Sequence, residues 1–265
     1  MRISKIKGLL ILFTILSFAC KKVISVNLND TSPQIVIEGN ITSNTGTYLV
    51  QIFKTVNFSA TNTFPTVSGA MVKITDSTTG TTDLLTETTP GNYMGNTLQG
   101  VPGHIYSLYV VAEGQTYTAS SIMPVSVPLD SVTFQHNNRF GTTDINPVAN
   151  FQDPTGITNY YTFTQTVNGK KLKNTFVFDD RLSDGKYIRQ QIFSDSTNIN
   201  IGDTVSLQMN CIDLGAFNFY NTVDRVTGGN NFNSVSPSNP LSNITNNALG
   251  YFSAHTAQIE TAIAQ

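Results

Sequence analysis

From Gln34 onward the chain is cut into short runs of β-branched and aromatic residues, and this division limits the fold more than any other feature. "QIVIEGNITSN", "TYLVQIFKTV", "GAMVKITDS", "TDLLTET" and "IYSLYVVAEGQTYTASS" are separated by Gly, Pro, Asn and Ser clusters. Side chains of this kind pack well on a pleated surface and poorly on a helix. Turn signals at "TSNTG", "DSTTG", "TPGN" and "AEGQ" recur at the spacing of an antiparallel sandwich. In "HIYSLYVVAEG", Tyr106, Leu108 and Val110 share one face while Ile105, Ser107, Tyr109 and Val111 share the other. Both faces are expected to be covered.

In "MPVSVPLDSV", Pro124 and Pro128 lack amide hydrogens and restrict the residues before them, which places a linker at 124–130. Further strands follow. Tyr161 and Phe163 alternate with Thr162 and Thr164, "NG" at Asn168 signals a two-residue hairpin, and "SDGK" marks a second turn. In "DTVSLQMNCI", Val205, Leu207, Met209 and Cys211 point inward, so Cys211 reads as a small buried hydrophobe. One helix is expected, in "DLGAFNFYNTVDRVTGG" near 213–226, with Asp213 as N-cap and Gly228 as stop. The fold class is therefore mainly β: an Ig-like, carboxypeptidase-regulatory-like antiparallel sandwich at 34–123, then a second antiparallel β domain with one short helix at 131–265.

The N-terminus says where such a chain works. Arg2, Lys5 and Lys7 precede an uncharged stretch from Gly8 to Phe18, the pattern of an export signal. The stretch is shorter than the roughly 20 apolar residues a spanning helix needs, and Lys21 and Lys22 end it. Ala19 before Cys20 resembles a bacterial lipobox, although Ser17 stands three places before the cysteine and Leu16 one place early. This reading makes 1–19 a lipoprotein signal peptide, Cys20 a lipidated first residue, and 20–33 a tether to the bilayer. The competing reading is an ordinary secretory signal cut near Ala19, leaving Cys20 free.

Cleavage there leaves 12 basic against 17 acidic residues, with no basic stripe, so nucleic acid is not an expected partner. With Cys20 modified, Cys211 has no partner, which excludes a disulfide framework and thiolate zinc sites. His104, His136 and His255 are scattered without metal-ligand spacing. Asp179, Asp180 and Asp184 in "FDDRLSDGKY" offer oxygens to Ca²⁺, but the loop lacks EF-hand alternation and contains Arg181 and Lys186, so a solvated turn is expected and no metal is assigned. Gly228 and Gly229 lack the residues of a phosphate loop, and no G-x-S-x-G occurs. No catalytic residue or cofactor is expected, and the chain reads as a non-enzyme. Asp76, Asp130, Asp195 and Asp203 each begin a tripeptide similar to an O-glycosylation acceptor. The chain has no Trp; Tyr160, Tyr187 and Phe232 are the candidates for a glycan-stacking platform.

"IVIEGNIT", "VSGAMVKITDS", "GNYMGN", "VPGHIYSLYVVAEGQTYTA", "FQDPTGITNYYTF", "GDTVSLQMNCID" and "NPLSNITNNALGYFSAHT" together resemble the DUF4249 lipoproteins of Bacteroidetes over nearly the whole mature chain. The resemblance implies an outer-membrane lipoprotein of unknown biochemical role, commonly encoded beside a TonB-dependent receptor, with no assigned catalytic residues. Lys21 and Lys22 depart from the acidic residues that often follow the cysteine in surface-displayed members, the first acid here being Asp30. A periplasm-facing orientation is therefore the alternative to surface display. The expected function is that of an accessory or binding subunit of a TonB-dependent transporter, held to the lipid bilayer through Cys20. The alternative is a free-standing adhesin or glycan-binding lipoprotein.

Overall fold

In the computed structural model, the described residues are 32–57, 63–139, 142–193, 199–227 and 239–265. They form β1 (Ile35–Thr42), β2 (Tyr48–Lys54), β3 (Met71–Asp76), β4 (Thr81–Leu84), β5 (Thr86–Thr89), β6 (Asn92–Gly95), β7 (Ile105–Ala112), β8 (Gln115–Ile122), β9 (Ser131–Arg139), β10 (Thr142–Gln152), β11 (Tyr160–Val167), β12 (Lys170–Asp179), β13 (Tyr187–Gln191), β14 (Thr204–Ile212), helix α1 (Leu214–Thr227) and β15 (Leu249–Ile263). The mainly β class read from the sequence is what the structure has. No described helix is long and apolar enough to cross a membrane.

Eight strands form one sheet in the order β12-β11-β14-β15-β1-β2-β6-β5, beside a four-stranded sheet β4-β3-β7-β8 and a three-stranded sheet β13-β10-β9. The long strand β15 joins the two halves of the large sheet. Its first half, Leu249–His255, pairs with β1, and its second half, Thr256–Ile263, pairs with β14. The pairing with β1 is parallel, whereas the expectation was of antiparallel strands throughout. Parallel pairing needs a long crossover, and here nearly the whole chain supplies it.

Two cores lie on this sheet. Ile37, Ile41, Val50, Ile52, Val72, Ile74, Tyr106, Leu108 and Phe252 fill the space between its β1-β2 region and the four-stranded sheet. Phe151, Tyr161, Phe163, Leu207, Met209 and Cys211 fill the second core, against the three-stranded sheet. The core changes at the expected linker, but the large sheet does not stop there. Val127 and Leu129, on either side of Pro128, are buried in the second core, and Val127 N donates to Cys211 Sγ at 3.4 Å. The described residues from Pro33 to Val56 and from 63 to 265 belong to one compact unit.

Local signals hold. Asn168 and Gly169 both have positive φ in the two-residue turn between β11 and β12, the geometry a two-residue hairpin requires. Asp213 Oδ1 accepts from Ala216 N at 2.9 Å and caps α1. Burial alternates along the first part of β14, with Val205, Leu207 and Met209 inside, and Asn210, Cys211 and Ile212 are then all buried. One expectation is corrected: β7 is covered on one face only, because Ile105 is 40% exposed and Ser107, Tyr109 and Val111 are half-buried. The four-stranded sheet is an outer layer, with Lys73 Nζ 4.5 Å above the Tyr109 ring. The expected tether lies almost wholly outside the described residues, as do Cys20 and Gly228.

Candidate functional site

The side chains of β1 and β15 that do not enter the first core continue onto the opposite face of the large sheet. There Glu38, Asn40 and Thr42 from β1 stand in register beside Tyr251, Ser253 and His255 from β15. Next to them come Gln208 and Asn210 from β14, then Thr162 and Thr164 from β11, paired Asn210 with Thr162 and Gln208 with Thr164. Helix α1 forms a wall with Phe219, Tyr220 and Asp224, and Lys171, Lys173 and Thr175 of β12 form the far rim. The result is a cleft of about 1060 Å³ floored by amides and hydroxyls.

The helix is held over this face by its own apolar side. Ala216 and Phe217 pack with Ile212, and Phe217 stacks on Tyr160 with ring centroids 4.6 Å apart. One turn further on, Phe219 and Tyr220 meet Tyr251 at centroid distances of 4.6 and 5.0 Å. Asn40 Nδ2 donates to the Tyr251 hydroxyl at 3.2 Å, so the aromatic wall joins the amide floor. Gln208 Nε2 donates to Asn210 Oδ1 at 2.8 Å, and Asn210 Nδ2 to Thr162 Oγ1 at 3.2 Å.

Burial sets the electrostatics. It pushes the Glu38 carboxyl above the ordinary carboxylate range and both the Tyr220 and Tyr251 hydroxyls up. It pulls the His255 imidazole down to about 4, so the ring is neutral at pH 7. His255 Nδ1 lies 3.1 Å from Ser253 Oγ. Ser253 is 1% exposed, and among the described residues no carboxylate bonds the His255 ring. The floor presents donors and acceptors at fixed strand spacings, which is chemistry for holding a polar ligand or chain.

The residues singled out by sequence are not brought together. His104 Nδ1 lies 2.8 Å from Asp76 Oδ2 at the edge of the outer sheet, and His136 Nε2 donates to the Gln265 carbonyl at 2.7 Å. Of the glycan-platform candidates, Tyr160 is half-buried under the helix, Tyr187 is exposed on β13, and Phe232 lies outside the described residues. Asp179 binds Arg181, while Asp180 and Asp184 converge with Asp153. Of the acceptor tripeptides, Ser77 and Thr204 are exposed, Ser131 is half-buried, and the one at Asp195 lies outside the described residues. The cleft floor itself was missed. Its signal is the polar alternation Glu38-Asn40-Thr42 and Gln208-Asn210, which has the same pattern as a solvent face.

Residues 21–260 match the family model described as Domain of unknown function (DUF4249). No curated protein matches the chain.

Proposed function

The chain belongs to the DUF4249 family, and from that premise we propose that it is an outer-membrane lipoprotein of a Bacteroidetes-type bacterium, held by lipid on Cys20, that serves as a non-catalytic binding subunit of a TonB-dependent transporter. The observation that carries this reading is the open polar cleft, which crosses both halves of the large sheet and offers Asn40, Thr164, Gln208 and Asn210 as hydrogen-bonding groups. A cleft of about 1060 Å³ has room for a polar cargo or a partner segment. The basic, apolar and small-residue pattern before Cys20 supports the anchor.

A second reading, a free-standing glycan-binding module, is favoured by one feature. The Phe219, Tyr220 and Tyr251 rings stand beside amides, a combination that sugar sites use.

The test is affinity purification of the tagged protein from mildly solubilised outer membranes, with the wild type and Thr164→Arg compared. Thr164 lines the cleft, and an arginine there would project a long charged side chain into it. The transport reading expects a stoichiometric TonB-dependent receptor with the wild type and its loss with Thr164→Arg. Recovery of the lipoprotein alone in both cases overturns that reading in favour of the free-standing module.

A further inference from the structure

Four strand ends meet at one edge of the second core: the end of β10, the start of β11, the end of β12 and the start of β13. The loop 153–159 joins the first two and the turn 180–186 the last two. We propose that these segments are tied together by a calcium ion held by Asp153, Asp180 and Asp184.

One carboxylate oxygen from each aspartate lies within 4.8 Å of the other two. Ligands on Ca²⁺ sit 2.3–2.6 Å from the ion, so two of them are at most about 4.6–5.2 Å apart, and three oxygens within 4.8 Å of one another can share it. Asp153 is 1% and Asp180 2% exposed, and Asp184 stands at the mouth. Burial, with the charges of Asp153 and Asp184 adding to it, raises the Asp180 carboxyl above its ordinary range.

The neighbouring cations are engaged elsewhere. Arg181 Nε and Nη2 donate to the two oxygens of Asp179, each at 2.8 Å, and Lys186 Nζ donates to the Leu182 carbonyl at 3.1 Å. Among the described residues none of the three aspartates has an ion pair. Protein donors do reach them. Tyr161 OH bonds Asp153 Oδ1 at 2.5 Å, Gly185 N bonds Asp153 Oδ2 at 3.0 Å, Asn159 N bonds Asp180 Oδ2 at 2.8 Å and Gly156 N bonds Asp184 Oδ1 at 2.7 Å. These bonds position the carboxylates and leave lone pairs on each.

A separate observation points to a ligand. Asn159 is 8% exposed, and its Oδ1 is enclosed with no hydrogen-bond partner; Ser183 Oγ is enclosed and unpartnered as well. Asn159 is clasped to Asp180 through its own amide and, by its carbonyl, through the Asp180 amide at 3.3 Å. Ser183 lies in the turn between Asp180 and Asp184, its amide donating to the Asp180 carbonyl at 2.7 Å. Amide carbonyl and hydroxyl oxygens are the hard ligands that complete a calcium shell of 6–8 oxygens, and a buried acceptor without a donor is uncommon in a folded protein.

Terbium is the probe, because it follows calcium in oxygen sites and is excited through tyrosine; the chain has no Trp, and Tyr161 bonds Asp153 directly. The full-length protein in detergent should give saturable terbium emission that Ca²⁺ displaces, and Ca²⁺ should raise its melting temperature where a chelator lowers it. Asp184→Asn, at an exposed residue, should weaken binding by at least about tenfold through loss of one charged ligand. Asp179→Asn, in the same turn but paired with Arg181, should bind as the wild type does. Absence of saturable emission, equal binding by Asp184→Asn, or equal stabilisation by Mg²⁺ would each overturn the assignment.

Discussion

Ile37 and Gly250 stand opposite one another in the parallel pair of β1 and β15, and a Cβ on Gly250 would run into the Ile37 backbone. Gly250 also has φ of +92°, a conformation that side chains rarely adopt. Gly250→Ala should therefore destabilise the fold by more than about 2 kcal/mol, through both strain and separation of the strands that join the chain's two ends. Urea unfolding measures this, and a loss below about 0.5 kcal/mol would contradict the packing described.

Burial holds the His255 imidazole at about 4 against an ordinary 6.5. The folded state then takes up protons less readily than the unfolded one, so the contribution of His255 is full above pH 6.5 and is lost as pH falls through about 4. The difference is on the order of 3 kcal/mol. Glu38 in the same cleft acts in the opposite sense, because burial raises its carboxyl. Between pH 6.5 and about 5, where Asp76, Asp83 and Asp179 remain ionised, His255→Gln should flatten the stability curve. Parallel curves for variant and wild type would refute a neutral buried ring.

Asp83 accepts from the Tyr48 hydroxyl, from Asn96 N and Thr97 N at 3.1 Å each, and from Thr97 Oγ1 at 3.0 Å. Desolvation raises its carboxyl, but these four donors outweigh it and the net shift is downward. Tyr48→Phe should cost about 1–2 kcal/mol and Asp83→Ala more, since Asp83→Ala leaves several donors unpaired. The double variant should cost less than the sum, because both changes remove the same bond. Strict additivity in denaturant melts would show that the two groups do not interact.

The Asp213 carboxylate links two elements, capping α1 through Ala216 N and accepting from Ile122 N at 3.2 Å. Asp213→Ala should lower stability by about 1–2 kcal/mol, and Asp213→Asn should recover most of it, since an amide oxygen also caps. An unchanged melting temperature in the alanine variant would remove the cap from the account of why this helix forms.

Cys20→Ala should move the protein from the membrane fraction to the soluble periplasmic or secreted fraction, because a diacylglyceryl cysteine carries enough acyl chain for stable attachment. A variant that still sediments with membranes would defeat the lipid-anchor proposal.

Much of this architecture is written in short-range pattern. The alternation in Val205–Met209, the Asn168–Gly169 turn and the Asp213 cap each depend on residues within one strand, turn or helix end, so the sequence states them directly. The cleft is a different matter. Glu38, Asn40 and Thr42 have the alternation of any half-exposed strand, and only the arrival of Tyr251 and His255 beside them, with Phe219 and Tyr220 above, makes that face a site. Likewise "FDDRLSDGKY" displays three aspartates, but folding turns Asp179 to Arg181 and brings in Asp153 from a distant loop.

By itself, then, the sequence determined the strand-rich class and the order of most elements. Tertiary structure alone decided that first and last strands pair in parallel, that two cores share one sheet, and which polar side chains converge. The reason is physical. Side-chain periodicity and turn conformation are fixed by neighbouring residues, whereas pairing between distant strands depends on the total burial reached once all of them are in place.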